Sequence, residues 1–108
     1  MMPDERDLLL VLCTCADDAE AEKIAHLLLA QNLAACVQLQ AIRSIYRWQG
    51  QVESSAEVRL VIKTCASHWQ RVEAAIRAAH SYQVPQIVAL PLLYANGDYA
   101  DWVRENLV

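Results

Sequence analysis

The stretch AACVQLQAIRSIYRWQGQVESSAEVRLVIK, residues 34–63, decides the fold. It is extended chain broken once. Ala34 to Trp48 carries no helical period, Gln49-Gly50 supplies a turn, and Val52 to Lys63 returns with period two. On the returning arm Val52, Ala56, Val58, Leu60 and Ile62 share one face, while Glu53, Glu57, Arg59 and Lys63 share the other. This is a β-hairpin whose arms both exceed the usual strand length of about 5–6 residues. Its far end is expected to project beyond the sheet and to need another subunit to cover its edges.

The flanking segments complete the plan. Leu8 to Cys15 reads as a short buried strand, with Leu9, Val11, Cys13 and Cys15 alternating against Leu8, Leu10, Leu12 and Thr14. Asp17-Asp18-Ala19-Glu20 is a capping-box start, after which Ala21, Ile24, Leu27 and Leu28 recur at helical spacing to about Asn32. Ser67-His68-Trp69-Gln70 is a second such signature. Trp69, Val72, Ile76 and Ala79 then predict a helix that ends near His80. Pro85 blocks its continuation, and Ile87 to Tyr94 reads as a fourth strand in which Pro91 marks an edge or a bulge. Asp98 caps a last short helix bearing Tyr99, Trp102, Val103 and Leu107. The order is the α+β ferredoxin-like split βαβ plan, βαββαβ plus a short C-terminal helix, with residues 1–108 as a single domain. Two helices cover one face of such a sheet. Oligomerisation is the candidate cover for the other.

Composition narrows the function. Apolar residues make up 56% of the chain, and the excess points to apolar surface buried against other subunits. The formal net charge is −4 with no run of Lys or Arg, so the basic stripe that a nucleic acid requires is missing. The longest apolar stretches, Leu8 to Cys13 and Ile87 to Ala95, fall well short of the roughly 20 residues of a membrane span. The acidic N-terminus lacks the apolar region of a signal peptide. A cytoplasmic protein is expected, with Cys13, Cys15, Cys36 and Cys65 as thiols. Their spacing matches no zinc motif.

Signals for catalysis are negative. Two glycines, Gly50 and Gly97, cannot build a phosphate-cradling loop, and GxSxG, HExxH and CxxC are missing. The informative pair is Cys13 and His80. In this topology the first and fourth strands are antiparallel neighbours, so the end of the first strand and the end of the second helix meet at one rim, with Cys15 close by. Thiolate plus imidazole suits copper or zinc. The competing reading is a cysteine packed as a small hydrophobe and a histidine that complements a helix C-terminus. Cys36 and Cys65 fall near the opposite rim, close to facing each other, and read as packed thiols. His26 and His68 read as surface residues. Tyr46 and Trp48, near the hairpin tip, read as subunit contacts.

Several runs together resemble one family: Leu33-Ala34-Ala35-Cys36-Val37, Ser44-Ile45-Tyr46-Arg47-Trp48-Gln49-Gly50, Glu57-Val58, Ile62-Lys63-Thr64, His80-Ser81-Tyr82 with Pro85 and Ile87, Leu90-Pro91, and Tyr99 with Trp102. They are similar to the CutA divalent-cation tolerance family from about Leu9 to Trp102. The resemblance implies an intertwined homotrimer whose long hairpins pair with neighbouring subunits. It also implies a cytoplasmic, non-enzymatic protein linked to tolerance of copper and other divalent metal ions, with metal ligands at Cys13 and His80. Three positions depart from the family pattern. Ala79 stands where some members have a second histidine, Ser81 replaces a usual proline, and Gln86 replaces a common glutamate. The architecture also resembles PII-type signalling proteins, so an effector-binding or scaffolding role without a metal is the alternative.

Overall fold

The hairpin forms as the period-two pattern requires. In the computed structural model, which describes residues 4–108, Cys36–Trp48 (β2) pairs antiparallel with Gln51–Cys65 (β3), from Cys36 opposite Lys63 to Trp48 opposite Gln51. Gln49 and Gly50 form the turn with φ of 50° and 79°. Positive φ at both central positions is what a type I′ hairpin demands, because its twist matches that of the strands.

Leu8–Cys15 (β1) lies between β3 and Ile87–Pro91 (β4), giving the strand order β2-β3-β1-β4 with all three pairings antiparallel. Asp18–Ala30 (α1) and Trp69–Ala79 (α2) cross one face, and Gly97–Glu105 (α3) follows β4. This is the ferredoxin-like α+β plan. The alternation of β1 holds. Val11, Cys13 and Cys15 join Val58, Leu60 and Ile62 beneath Ile24 and Leu28 of α1 and Val72 and Ile76 of α2. The opposite face is covered at one end only, where Ala100 and Val103 of α3 pack on Leu8 and Cys65.

Three boundaries differ from the sequence reading. β4 stops at Pro91 rather than at Tyr94, because β1 begins at Leu8 and offers no partner beyond the bond from Leu92 N–H to the Leu8 carbonyl. Asp17 caps α1 as expected, its Oδ1 accepting from Glu20 N–H at 2.9 Å. The second capping box does not form. The chain enters α2 through a 3-10 turn, Ala66–His68, and Ser67 Oγ bonds His68 Nδ1 instead. The last helix is capped two positions earlier, at Asn96, with Asp98 inside the first turn.

Length explains the projection. At about 3.4 Å per residue the 13 residues of β2 span roughly 44 Å, which equals the 44 Å long dimension of the molecule. The 13 residues of α1 rise only about 20 Å. The distal half of the hairpin therefore has no helix over it, and Ile45 and Val52 on the helix side remain 69% and 65% exposed. Leu60, fully buried in the helix-covered half, carries core energy instead. Leu60→Ala is expected to lower the unfolding free energy by about 2–5 kcal/mol. Glu22→Ala, on the exposed face of α1, should stay within about 0.5 kcal/mol, both read from urea unfolding curves.

Candidate metal centre

The β1–β4 ladder ends with Cys13 opposite Ile87, and Thr14 and Cys15 run on past it. Strand alternation turns both cysteines toward the helices, where they are fully buried. α2 delivers the third group. His80 is its C-cap residue, and there the chain leaves helical geometry for φ −83°, ψ 142°. The ligand atoms of Cys13, Cys15 and His80 lie within 4.8 Å of one another. The sequence paired His80 with Cys13. The sulfur that bonds the imidazole is that of Cys15, 3.9 Å from Nε2. Among the described residues this is the one group of three such side chains close enough to share an ion.

Hydrogen bonds fix the imidazole. Its side chain is fully buried, and Nδ1 accepts the Tyr82 backbone N–H at 3.0 Å. The geometry therefore assigns the ring proton to Nε2. Nε2–H donates to the Thr14 carbonyl at 2.8 Å, one residue beyond the last β1–β4 pair. His80 thus supplies the donor that β4 no longer provides.

Glu20 stands behind the ring, with Oε2 4.0 Å from Nδ1. Burial works against its charge, but hydrogen bonds from Ser81 N–H at 2.7 Å and Ala16 N–H at 3.2 Å prevail and hold the carboxyl below its usual range. A proline at position 81 would have no N–H to give.

The two thiols ionise unequally. The hydrogen bond to Cys15, then burial, pushes the Cys13 thiol far up, and the same bond lowers Cys15 against the opposing effect of burial. Cys15 is thus the first of the pair to become a thiolate, held by the Cys13 S–H. A cation taken by both sulfurs must displace that proton.

The other titratable positions fare differently. Cys36 pairs with Lys63, so Cys65 lies two positions beyond it; both are free thiols. His26 is exposed as expected. His68 is not a surface residue. It is 6% exposed, bonded at Nε2 to the Val108 carbonyl oxygen at 2.6 Å and at Nδ1 to Ser67 Oγ at 2.9 Å. The 3-10 turn before α2 rotates it inward. Sequence reasoning also missed the Glu57–Tyr82 pair, in which the phenol donates to Glu57 Oε2 at 2.6 Å. The Tyr82 ring also leans on the His80 ring, 4.8 Å between centroids.

A ferredoxin-like sheet with a buried dithiol–imidazole group at the end of its first strand defines an α+β protein with the ligand chemistry of soft and borderline metals. Residues 9–106 match the CutA1 divalent ion tolerance protein family, and the chain belongs to that family. It is 42% identical over 97 residues to the divalent-cation tolerance protein CutA of Thermus thermophilus, covering 89% of this chain and 94% of that protein. The CutA of Pectobacterium atrosepticum is 38% identical over 102 residues, covering 94% and 93%. Among solved structures, the Thermus thermophilus Cut A1 superposes with a TM-score of 0.90 at 40% identity, covering 94% of this chain and 99% of that one. A protein from Archaeoglobus fulgidus, described as a periplasmic divalent cation tolerance protein CutA, gives a TM-score of 0.90 at 33% identity, covering 92% and 97%. Among the described residues no helix is long and apolar enough to cross a membrane.

Two outcomes test this geometry in metal-free protein. The 15N NMR shifts of His80 should show a protonated Nε2 and an unprotonated Nδ1, and His80→Ala, which orphans the Thr14 carbonyl and the Tyr82 N–H, should cost about 1–3 kcal/mol. Glu20, lowered in the folded state, contributes stability above its unfolded value, and that contribution is lost as the pH falls through the folded one. Glu20→Gln should therefore reduce the urea midpoint at neutral pH and converge with the parent in strong acid.

Proposed function

We propose that this protein is a homotrimeric, cytoplasmic, non-enzymatic binder of copper or another divalent metal ion, acting in the response to metal ions through Cys13 and His80 with Cys15 as a third donor. One observation carries the reading: two sulfurs and an imidazole nitrogen within 4.8 Å. Thiolate and imidazole donors select copper and zinc over magnesium or calcium. The divalent-cation tolerance named for its relatives agrees with that preference. Bound metal would supply charge that holds both sulfurs as thiolates, and His80 would ligate only by releasing the Thr14 carbonyl or the Tyr82 amide. The trimer is supported by the bare apolar face of the hairpin, where Ile45 and Val52 stand exposed, and by Leu90, 54% exposed on the β4 edge. Four free thiols suit a reducing compartment.

Calorimetric titration of the reduced protein with copper is the direct test. Saturable binding is expected, lost in Cys13→Ser and His80→Ala and weakened in Cys15→Ser; binding indifferent to all three would overturn the site. Because the thiol proton must leave, apparent affinity should fall as the pH is lowered from about 8 to about 6. Ile45→Asp is expected to shift the mass measured by light scattering from trimer to monomer. A PII-like effector-binding role without a physiological metal is the second reading, favoured by an open cavity on the other face of the sheet.

A further inference from the structure

Cys13, Cys15 and His80 are close enough to share an ion, yet the imidazole turns a donor toward the sulfurs, not a lone pair. Nε2 lies 3.9 Å from Cys15 Sγ, and its proton goes to the Thr14 carbonyl at 2.8 Å. The lone pair is on Nδ1, where it accepts the Tyr82 N–H at 3.0 Å. A neutral imidazole has one N–H and one lone pair. For Nε2 to ligate an ion beside the sulfurs, the ring must carry its proton on Nδ1 instead. A protonated Nδ1 can no longer accept from Tyr82. It needs an acceptor of its own.

One acceptor is in place. Oε2 of Glu20, in the first turn of α1, lies 4.0 Å from Nδ1, about 1 Å outside hydrogen-bond range. The carboxylate is tethered at both oxygens, Oε2 by Ser81 N–H at 2.7 Å and Oε1 by Ala16 N–H at 3.2 Å. The gap therefore closes by a shift of the imidazole, not of Glu20. With the His80 side chain fully buried and that of Glu20 only 13% exposed, water has little access to compete. Among the described residues no other carboxylate pairs with the ring. Glu57, across the sheet, is engaged by the Tyr82 phenol. A histidine that ligates a metal gives its other N–H to such an acceptor, which fixes the tautomer and raises the basicity of the ligating nitrogen. Every contact in this set lies within one chain, so covering the open face of the sheet leaves it in place.

We propose that Glu20 is the positioning residue of the metal centre: it accepts the Nδ1 proton of His80 and so frees the Nε2 lone pair for an ion held by Cys13 and Cys15. This role rests on the metal-binding reading and deepens it. The exchange removes a proton from Nε2 and places one on Nδ1, so the imidazole stays neutral throughout. The Thr14 carbonyl and the Tyr82 N–H both lose their His80 partner, and Glu20 gains one. Glu20 acts through the ring and is not itself a ligand.

The test uses the full-length reduced protein with zinc as a diamagnetic probe, its affinity read by calorimetry and the tautomer by 15N NMR. On saturation the His80 ring signals of the parent should exchange, leaving the proton on Nδ1, and the Tyr82 amide should shift as its acceptor is lost. Glu20→Gln, which keeps the side-chain length and an acceptor for Ser81, should bind the same number of ions about 10–100-fold more weakly. Its metal-free His80 signals should match those of the parent, which separates a lost acceptor from a disturbed fold. Equal affinity of parent and variant, or a zinc-loaded parent whose Nε2 keeps its proton, would overturn the role of Glu20 alone. A parent that binds neither zinc nor copper would overturn the metal reading and this role together. If Glu20→Gln does not fold, the His80 and Tyr82 signals of the parent decide.

Discussion

The β1–β4 ladder stops at Cys13, one residue before the Thr14 carbonyl, and a carbonyl left at the edge of a core must find a donor. His80 provides it at 2.8 Å. That single bond requires α2 to end where it does. It brings the imidazole against the Cys15 sulfur and leaves Nδ1 to take the Tyr82 amide. Tyr82 is thereby aimed over the end of the sheet, where its phenol reaches Glu57. The Cys13, Cys15 and His80 cluster and the Glu57–Tyr82 pair are both positioned around this carbonyl.

The hairpin and the core alternation were legible because period two in β1 and β3 depends only on neighbours along the chain. The meeting of Cys13 and His80 was legible from topology, since antiparallel first and fourth strands bring those ends to one rim. What escaped depended on offsets of one or two residues. His68 turned inward because α2 starts at Trp69 behind a 3-10 turn, and an α-helical spacing begun at Ser67 misplaces it. Cys36 and Cys65 missed each other because the turn at Gln49-Gly50 sets the register two positions away. Glu57 looked like a face charge, and nothing along β3 announces that Tyr82 will bury it. Topology singled out Cys13 and His80 and the family resemblance agreed on the same two positions, whereas the contact of Cys15 with His80 emerges only in three dimensions.

The chemistry of the two faces is complementary. Beneath the helices, soft donors are shielded from water and hold a proton that a metal must displace. Across the sheet, the hard Glu57 carboxylate accepts from the Tyr82 phenol. Ser81 and Gln86 fall on these two surroundings, one giving a donor to Glu20 and the other a neutral amide to the cavity wall.

The uncovered half of the hairpin has a consequence for how the protein responds to dilution. A strand pair about 44 Å long with helices over only half of it leaves apolar side chains whose burial requires a second molecule. Any copy that covers Ile45 and Val52 contributes to stability by mass action. The temperature at which such a fold melts then becomes a function of how much of it the cell makes.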